Sequence, residues 1–279
     1  MGSETREESA HHSGVKSGAR SIGIWRPAAV ILLLLLGASV YANVRLVDLV
    51  RTERRLVSFV TLDPGGLEVY AQDRARASSP TTPVQSGNDD APLLVLFGDS
   101  RVAMWPAPPM RAGYRVVNRG IGYQTTAQLL LRVDPDVVQL HPAVVVIEAG
   151  INDLRSIADL PSRRDEIVAR CKQNLARLVD RSRASGATVV LVSVFGVGEV
   201  ALWQRLFWSN DVASAVREVN AFLPTLAGEK VVLFDADPVL AGPGGTIRRD
   251  YQLDHLHLTP AGYEALNRAL VPFVASLGK

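Results

Sequence analysis

Between residues 91 and 279, short apolar runs alternate with longer stretches of helical periodicity. Residues 93–97, 114–117, 143–147, 188–194 and 231–234 are rich in Val, Leu and Ile with little polar alternation, as in strands buried on both faces. Residues 125–132, 163–184, 211–223 and 260 to about 277 instead space their apolar positions three to four apart, which predicts amphipathic helices. Strand and helix in alternation predict a parallel sheet with helices on both faces. Reactive groups in such a sheet gather beyond the carboxyl ends of the strands, so the residues after each run carry most information. No internal repeat is visible.

The pattern before residue 91 is different. Residues 27–44 carry no charge and include a nearly all-leucine stretch over 30–36, long enough to cross a bilayer as a helix. Arg26 and Arg45 bracket it, and Trp25 and Tyr41 sit where interfacial aromatics belong. The small residues Ala38, Ser39 and Ala42 would suit a cleaved signal peptide. Against cleavage, a long polar stretch precedes the run and the run exceeds a usual signal core, so an uncleaved anchor is expected. Lys16, Arg20 and Arg26 lie before it and Arg45, Arg51, Arg54 and Arg55 after it, so basic residues do not orient it. The short N-terminus and single span point to a single-pass signal-anchor with an extracytoplasmic domain. Residues 1–26 are expected to be disordered. The anchor occupies 27–44, a helical stalk with an apolar face 45–74, and a Ser, Pro, Thr and Gly-rich linker 75–90, leaving one domain over 91–279.

Composition narrows the chemistry. The chain is 47% hydrophobic and 21% charged, and 30 basic against 28 acidic residues leave a formal charge of +2, with no basic run to bind nucleic acid. Cys171 is the single cysteine, which excludes an internal disulfide and a cysteine-built zinc site. It lies within a predicted helix, where a packed thiol is expected.

Four segments fall at or near the predicted strand ends: Gly98-Asp99-Ser100, Asn118-Arg119-Gly120-Ile121-Gly122, Gly150-Ile151-Asn152-Asp153, and Asp254-His255-Leu256-His257 ahead of the last helix. Each alone reads as an ordinary loop or helix cap. Their joint order and placement are what point to a site.

With these motifs the chain resembles the SGNH hydrolases, or GDSL esterases and lipases, in the branch similar to platelet-activating-factor acetylhydrolase catalytic subunits. The resemblance covers about residues 93–270. It implies a flavodoxin-like three-layer α/β/α sandwich with a parallel sheet, and no metal or organic cofactor. It also implies Ser100 as nucleophile, Asp254 and His257 as its partners, and the Asn152 amide as an oxyanion donor. Members of this branch usually read Asn-x-Gly-Ile-Gly-Gly-x-Thr in the second block, and Tyr123 stands here at the last glycine. Its N–H survives as a donor, because every residue but proline carries one. Its side chain resists positive φ and narrows the room for an acyl group.

The residues support the same chemistry independently. A serine hydroxyl needs a nearby base, which imidazole supplies near neutral pH, and a carboxylate on the other ring nitrogen fixes the tautomer. His257, three residues after Asp254, can meet that carboxylate in one turn, whereas the adjacent His255 cannot; His255 is expected to face substrate or solvent. Thr259 and Pro260 start the following helix as N-cap and first residue. Gly122, Arg101 and Trp203 are further candidates for lining the pocket; Trp203, Phe207 and Trp208 read first as packed loop aromatics and second as a hydrophobic wall for the ester.

The leading expectation is hydrolysis of short acyl esters through an acyl-Ser100 intermediate. A second keeps the residues but takes a cell-envelope polysaccharide as substrate, by O-acetyl removal or transfer. A third, motivated by Tyr123, is a non-catalytic domain that binds acylated ligands or proteins. The expected partners are thus a small-molecule or glycan ester and a membrane through residues 27–44. Oligomeric state is not legible.

Overall fold

The computed structural model describes residues 22–77, 91–110, 113–202, 204–242 and 245–277. Most of the expected disordered segment and linker, and Trp203, lie outside them. The chain divides into two units, Met1–Ser58 and Phe59–Lys279.

The first unit contains most of helix α1 (Ile22–Leu62), whose leucines over 32–36 are exposed. Among the described residues the stretch Pro27–Leu62 is the one helical segment long and apolar enough to cross a membrane.

In the second unit the chain leaves the helix at Leu62, short of the stalk boundary expected at residue 74. Pro64, Gly65 and Gly66 explain the break, since proline and glycine do not continue a helix. The Asp63 carboxylate accepts from the amides of Leu67 and Glu68, each at 2.8 Å, and Gly66 takes φ 65°. A short helix α2 (Ala71–Ala77) follows.

The predicted strands are present as β1 (Leu93–Gly98), β2 (Arg115–Gly120), β3 (Val144–Glu148), β4 (Thr188–Val192) and β5 (Val231–Phe234). They pair in parallel in the order β2-β1-β3-β4-β5, the flavodoxin-like arrangement, which reverses direction between β1 and β3. Alternate side chains serve two cores. Val95, Phe97, Val145 and Ile147 pack with α4 (Thr126–Asp136), α6 (Arg164–Ala184) and α7 (Asp211–Phe222). Leu94, Leu96, Val144 and Val146 face the other way, with Tyr263, Leu266, Leu270 and Val274 of helix Pro260–Ser276. β1 is buried at every position, which is why it reads as a continuous apolar run.

Two glycines set how closely the strand ends approach. A Cβ on Gly98 would overlap the carbonyl of Glu148, and one on Gly120 would overlap the backbone of Ala103 in helix α3 (Ser100–Ala103). Gly98→Ala should therefore force β1 and β3 apart and lower stability by about 3 kcal/mol, the upper part of the overpacking range. Urea unfolding reads this directly, and an unchanged midpoint would show that the two strand ends separate at no cost.

Candidate active site

Ser100 is the first residue of α3, directly beyond β1. The buried Asp99 side chain caps that helix by accepting from the Arg101 amide at 2.9 Å. A helix starting at the strand's end lifts the hydroxyl to the sheet rim.

The Ser100 Oγ lies 2.9 Å from His257 Nε2, and His257 Nδ1 lies 2.8 Å from Asp254 Oδ2. The other Asp254 oxygen accepts from the amides of Leu256 and His257 at 2.7 and 2.8 Å. Leu253 N–H donates to the His257 carbonyl at 2.9 Å, closing the turn that brings residues 254 and 257 together. Burial alone would raise the pKa of Asp254, but the bonds from His257 and the two amides outweigh it and hold the carboxyl well below its usual range. It is therefore an anion at neutral pH, able to fix the tautomer with Nδ1 protonated and Nε2 free to accept.

Asn152 lies in helix α5 (Ile151–Arg155), beyond β3 after Gly150, whose φ of 123° makes the sharp turn. One hydrogen of its side-chain amide goes to the Gln124 carbonyl at 3.0 Å. Gly122 lies beside Ser100: a Cβ there would sit 3.9 Å from Ser100 Cβ. Tyr123 takes φ 65°, a left-handed conformation that costs a residue with a side chain roughly 1–2 kcal/mol. Its side chain is 57% exposed.

Other expected residues are placed differently. Arg101, expected at the pocket mouth, is 0% exposed. Its Nε donates to the Leu256 carbonyl at 2.9 Å and its Nη1 to the Phe195 carbonyl at 3.0 Å, with the ring of Phe195 5.0 Å away. It thus ties the loop bearing His257 to the helix that starts at Ser100. His255 stacks edge-on with Trp208 at 4.8 Å and is half-buried, which lowers its pKa; its Nδ1 is buried without a partner among the described residues.

A second buried arginine went unnoticed in the sequence. Arg132 in α4 donates to the Gly98 carbonyl at 2.9 Å, the Arg119 carbonyl at 2.8 Å, Gln124 Oε1 at 2.6 Å and Asp136 at 3.1 Å. Gln124, which accepts from Asn152, was missed as well. The available signal was the helix start beside it, where Thr125 and Gln128 form a capping box.

With this geometry in view, the likeness to known proteins is informative. Residues 86–265 match the model of the GDSL-like Lipase/Acylhydrolase family. The chain belongs to that family, a family of ester-bond hydrolases. It is 34% identical over 117 residues to Esterase TesA of Pseudomonas aeruginosa, a match that spans 40% of this chain and 52% of that esterase. It is 28% identical over 198 residues to the platelet-activating factor acetylhydrolase IB subunit alpha1 of Rattus norvegicus, covering 67% of this chain and 77% of the relative. A crystal structure of a GDSL-like lipase from Bacteroides thetaiotaomicron superposes with a TM-score of 0.60 at 24% identity, over 76% of this chain and 98% of that one, and so shares the fold.

Behind Ser100, Asp99 and Glu148 are both fully buried, and Arg101 reaches one Glu148 oxygen at 3.5 Å. Burial raises both carboxyl pKa values, and for Glu148 the neighbouring Asp99 adds to the rise. A group that titrates higher folded than unfolded binds more protons in the native state across the gap between its two pKa values. Its contribution is complete below the ordinary carboxylate range and is lost as pH climbs through the raised folded value. Stability should therefore decline from about pH 5 towards pH 8, and Glu148→Gln should flatten that decline. Urea midpoints of both proteins across this range test it; parallel curves would mean that Glu148 is ionised throughout.

Proposed function

We propose that the protein is a serine esterase that cleaves short-chain acyl esters through an acyl-Ser100 intermediate. The observation that carries this is the continuous hydrogen-bonded relay from Ser100 Oγ through His257 to Asp254, at 2.9 and 2.8 Å. His257 Nε2 takes the hydroxyl proton as Oγ attacks the ester carbonyl, and Asp254 stabilises the imidazolium that forms. The negative oxygen of the tetrahedral intermediate is met by the N–H groups of Ser100 and Tyr123 and by the second hydrogen of the Asn152 amide. Such donors are worth about 2.7–4 kcal/mol each when aimed at the developing charge. Collapse expels the alcohol, which takes the proton from His257. Water, deprotonated by the same ring, then releases the acid and restores Ser100.

The tethering helix favours a particular setting for this chemistry. Pro27–Leu62 is long and apolar enough to hold the enzyme at a bilayer as a single-pass signal-anchor, with the hydrolase domain on the extracytoplasmic side. An enzyme fixed there has immobile substrate nearby. This favours a second reading of the same site, removal or transfer of O-acetyl groups on an envelope polysaccharide.

p-Nitrophenyl acetate should give a burst of p-nitrophenol stoichiometric with enzyme, and Ser100→Ala should lower turnover by about 10⁴-fold or more. A fluorophosphonate probe should label wild type and not Ser100→Ala. Full turnover in the alanine variant would remove Ser100 as the nucleophile, and an inactive, unlabelled wild type would leave a non-catalytic binding domain. Acetylated glycan and lysophospholipid, assayed in parallel, separate the two substrate readings.

A further inference from the structure

The hydrolase domain is not where the second unit begins, and the residues ahead of it contact the loop that bears Tyr123. Tyr70 Oη donates to the Gly120 carbonyl at 2.6 Å. Gln124 Nε2 donates to the Gly65 carbonyl at 3.0 Å, and Gln128 Nε2 to the Pro64 carbonyl at 3.2 Å. Asp73 pairs with Arg119 at 3.3 Å, whose guanidinium lies 4.6 Å from the Tyr70 ring, and Arg74 pairs with Asp136 at 2.5 Å. The fit is close: a Cβ on Gly66 would come within 2.8 Å of both Gln124 Nε2 and Ile121 Cδ1.

We infer that residues 63–74 brace the 120–124 loop, with Tyr70 and Gln124 as positioning residues that hold Tyr123 in its left-handed conformation. The inference rests on the reading of the Tyr123 N–H as an oxyanion donor. Tyr123 disfavours φ 65°, and relaxation into the ordinary region would swing its peptide away from the nucleophile. Its side chain is mostly exposed, so its own packing does not hold that conformation. The restraint comes from both flanks. Gly120 is fixed to Tyr70 on one side. On the other, the Gln124 side chain is held between Gly65 and Arg132, while the Gln124 carbonyl orients Asn152. One brace thereby aims two of the three donors. With glycine at this position the same backbone would carry no steric penalty, and the brace would have less to overcome.

The test is a double-mutant cycle in the full-length chain, with p-nitrophenyl acetate as substrate. Tyr70→Phe removes one hydroxyl and should lower kcat about tenfold, a fraction of the roughly 10²–10³-fold cost of deleting an oxyanion donor. KM should stay within about twofold. In a Tyr123→Gly background the same change should cost only about twofold, because glycine accepts positive φ unaided. Gly66→Ala, which pushes the brace away, should follow the same pattern; if it does not fold, Tyr70→Phe decides alone. No loss from Tyr70→Phe, or an equal loss in both backgrounds, overturns the inference. Amide hydrogen exchange supplies a readout independent of activity: Tyr70→Phe should speed exchange at residues 121–124 about tenfold and leave β3 and β4 unchanged. Unaltered exchange there overturns the brace. A wild type that neither turns over ester nor takes the fluorophosphonate defeats the esterase reading instead, and exchange still decides the brace.

Discussion

The Arg101 guanidinium is buried with no exposure to solvent, and the relay between Ser100 and His257 depends on what it holds. Ser100 and His257 come from segments 157 residues apart, with no backbone ladder between them. Arg101 follows Ser100 directly, and its bonds to the carbonyls of Leu256 and Phe195 fasten the loop bearing His257 and the loop after β4 to the helix that starts at Ser100. A buried charge is tolerated only with partners, and here they are backbone carbonyls, an aromatic face and Glu148. Asp99 and Glu148 are buried in the same neighbourhood, where burial favours their protonated forms and the cation opposes that rise.

Arg132 does the equivalent work on the opposite side of the site. It gathers the carbonyls of Gly98 and Arg119, at the ends of β1 and β2, with the Gln124 side chain. The two arginines thus divide the loops: one fastens the segment bearing His257, the other the strand ends beside Gln124. A parallel sheet leaves the loops beyond its strands without ladder hydrogen bonds, so their precision has to come from side chains of this kind. Gly98 and Gly120 add the other requirement, that backbones approach more closely than any Cβ would allow.

What the sequence made legible follows from the range of each signal. The strands and the main helices of the domain depend on local periodicity, and β1, buried on both faces, reads as an uninterrupted apolar run. The motifs after the strands could be read together because a parallel sheet directs them to one rim, and His257 rather than His255 was expected beside Asp254 on spacing supported by the family resemblance; the two side chains lie 2.8 Å apart. Arg101 was misplaced at the pocket mouth because charge predicts exposure unless the partners are visible, and those partners lie as far away as Leu256. Residues 63–74 were read as a continuing stalk for the same reason. Tyr70, Asp73 and Arg74 look like solvent-facing helix residues until Gly120, Arg119 and Asp136 are brought beside them. The helix break itself was locally readable in Pro64-Gly65-Gly66, and the apolar spacing on its N-terminal side masked it.

Tyr123 shows how these levels meet. A side chain at a position that takes φ 65° is unfavourable by about 1–2 kcal/mol, comparable to one or two ordinary hydrogen bonds. The loop around it has more than that in restraints, since Gly120, Gln124 and Asn152 are each fixed by a bond to another element or loop. Strain of this size can persist only where the surroundings over-determine the backbone. The phenol is exposed and contributes little to the core. A position that glycine would fill on conformational grounds alone is therefore occupied by a residue whose backbone is restrained by its neighbours, while its side chain stays free of the core.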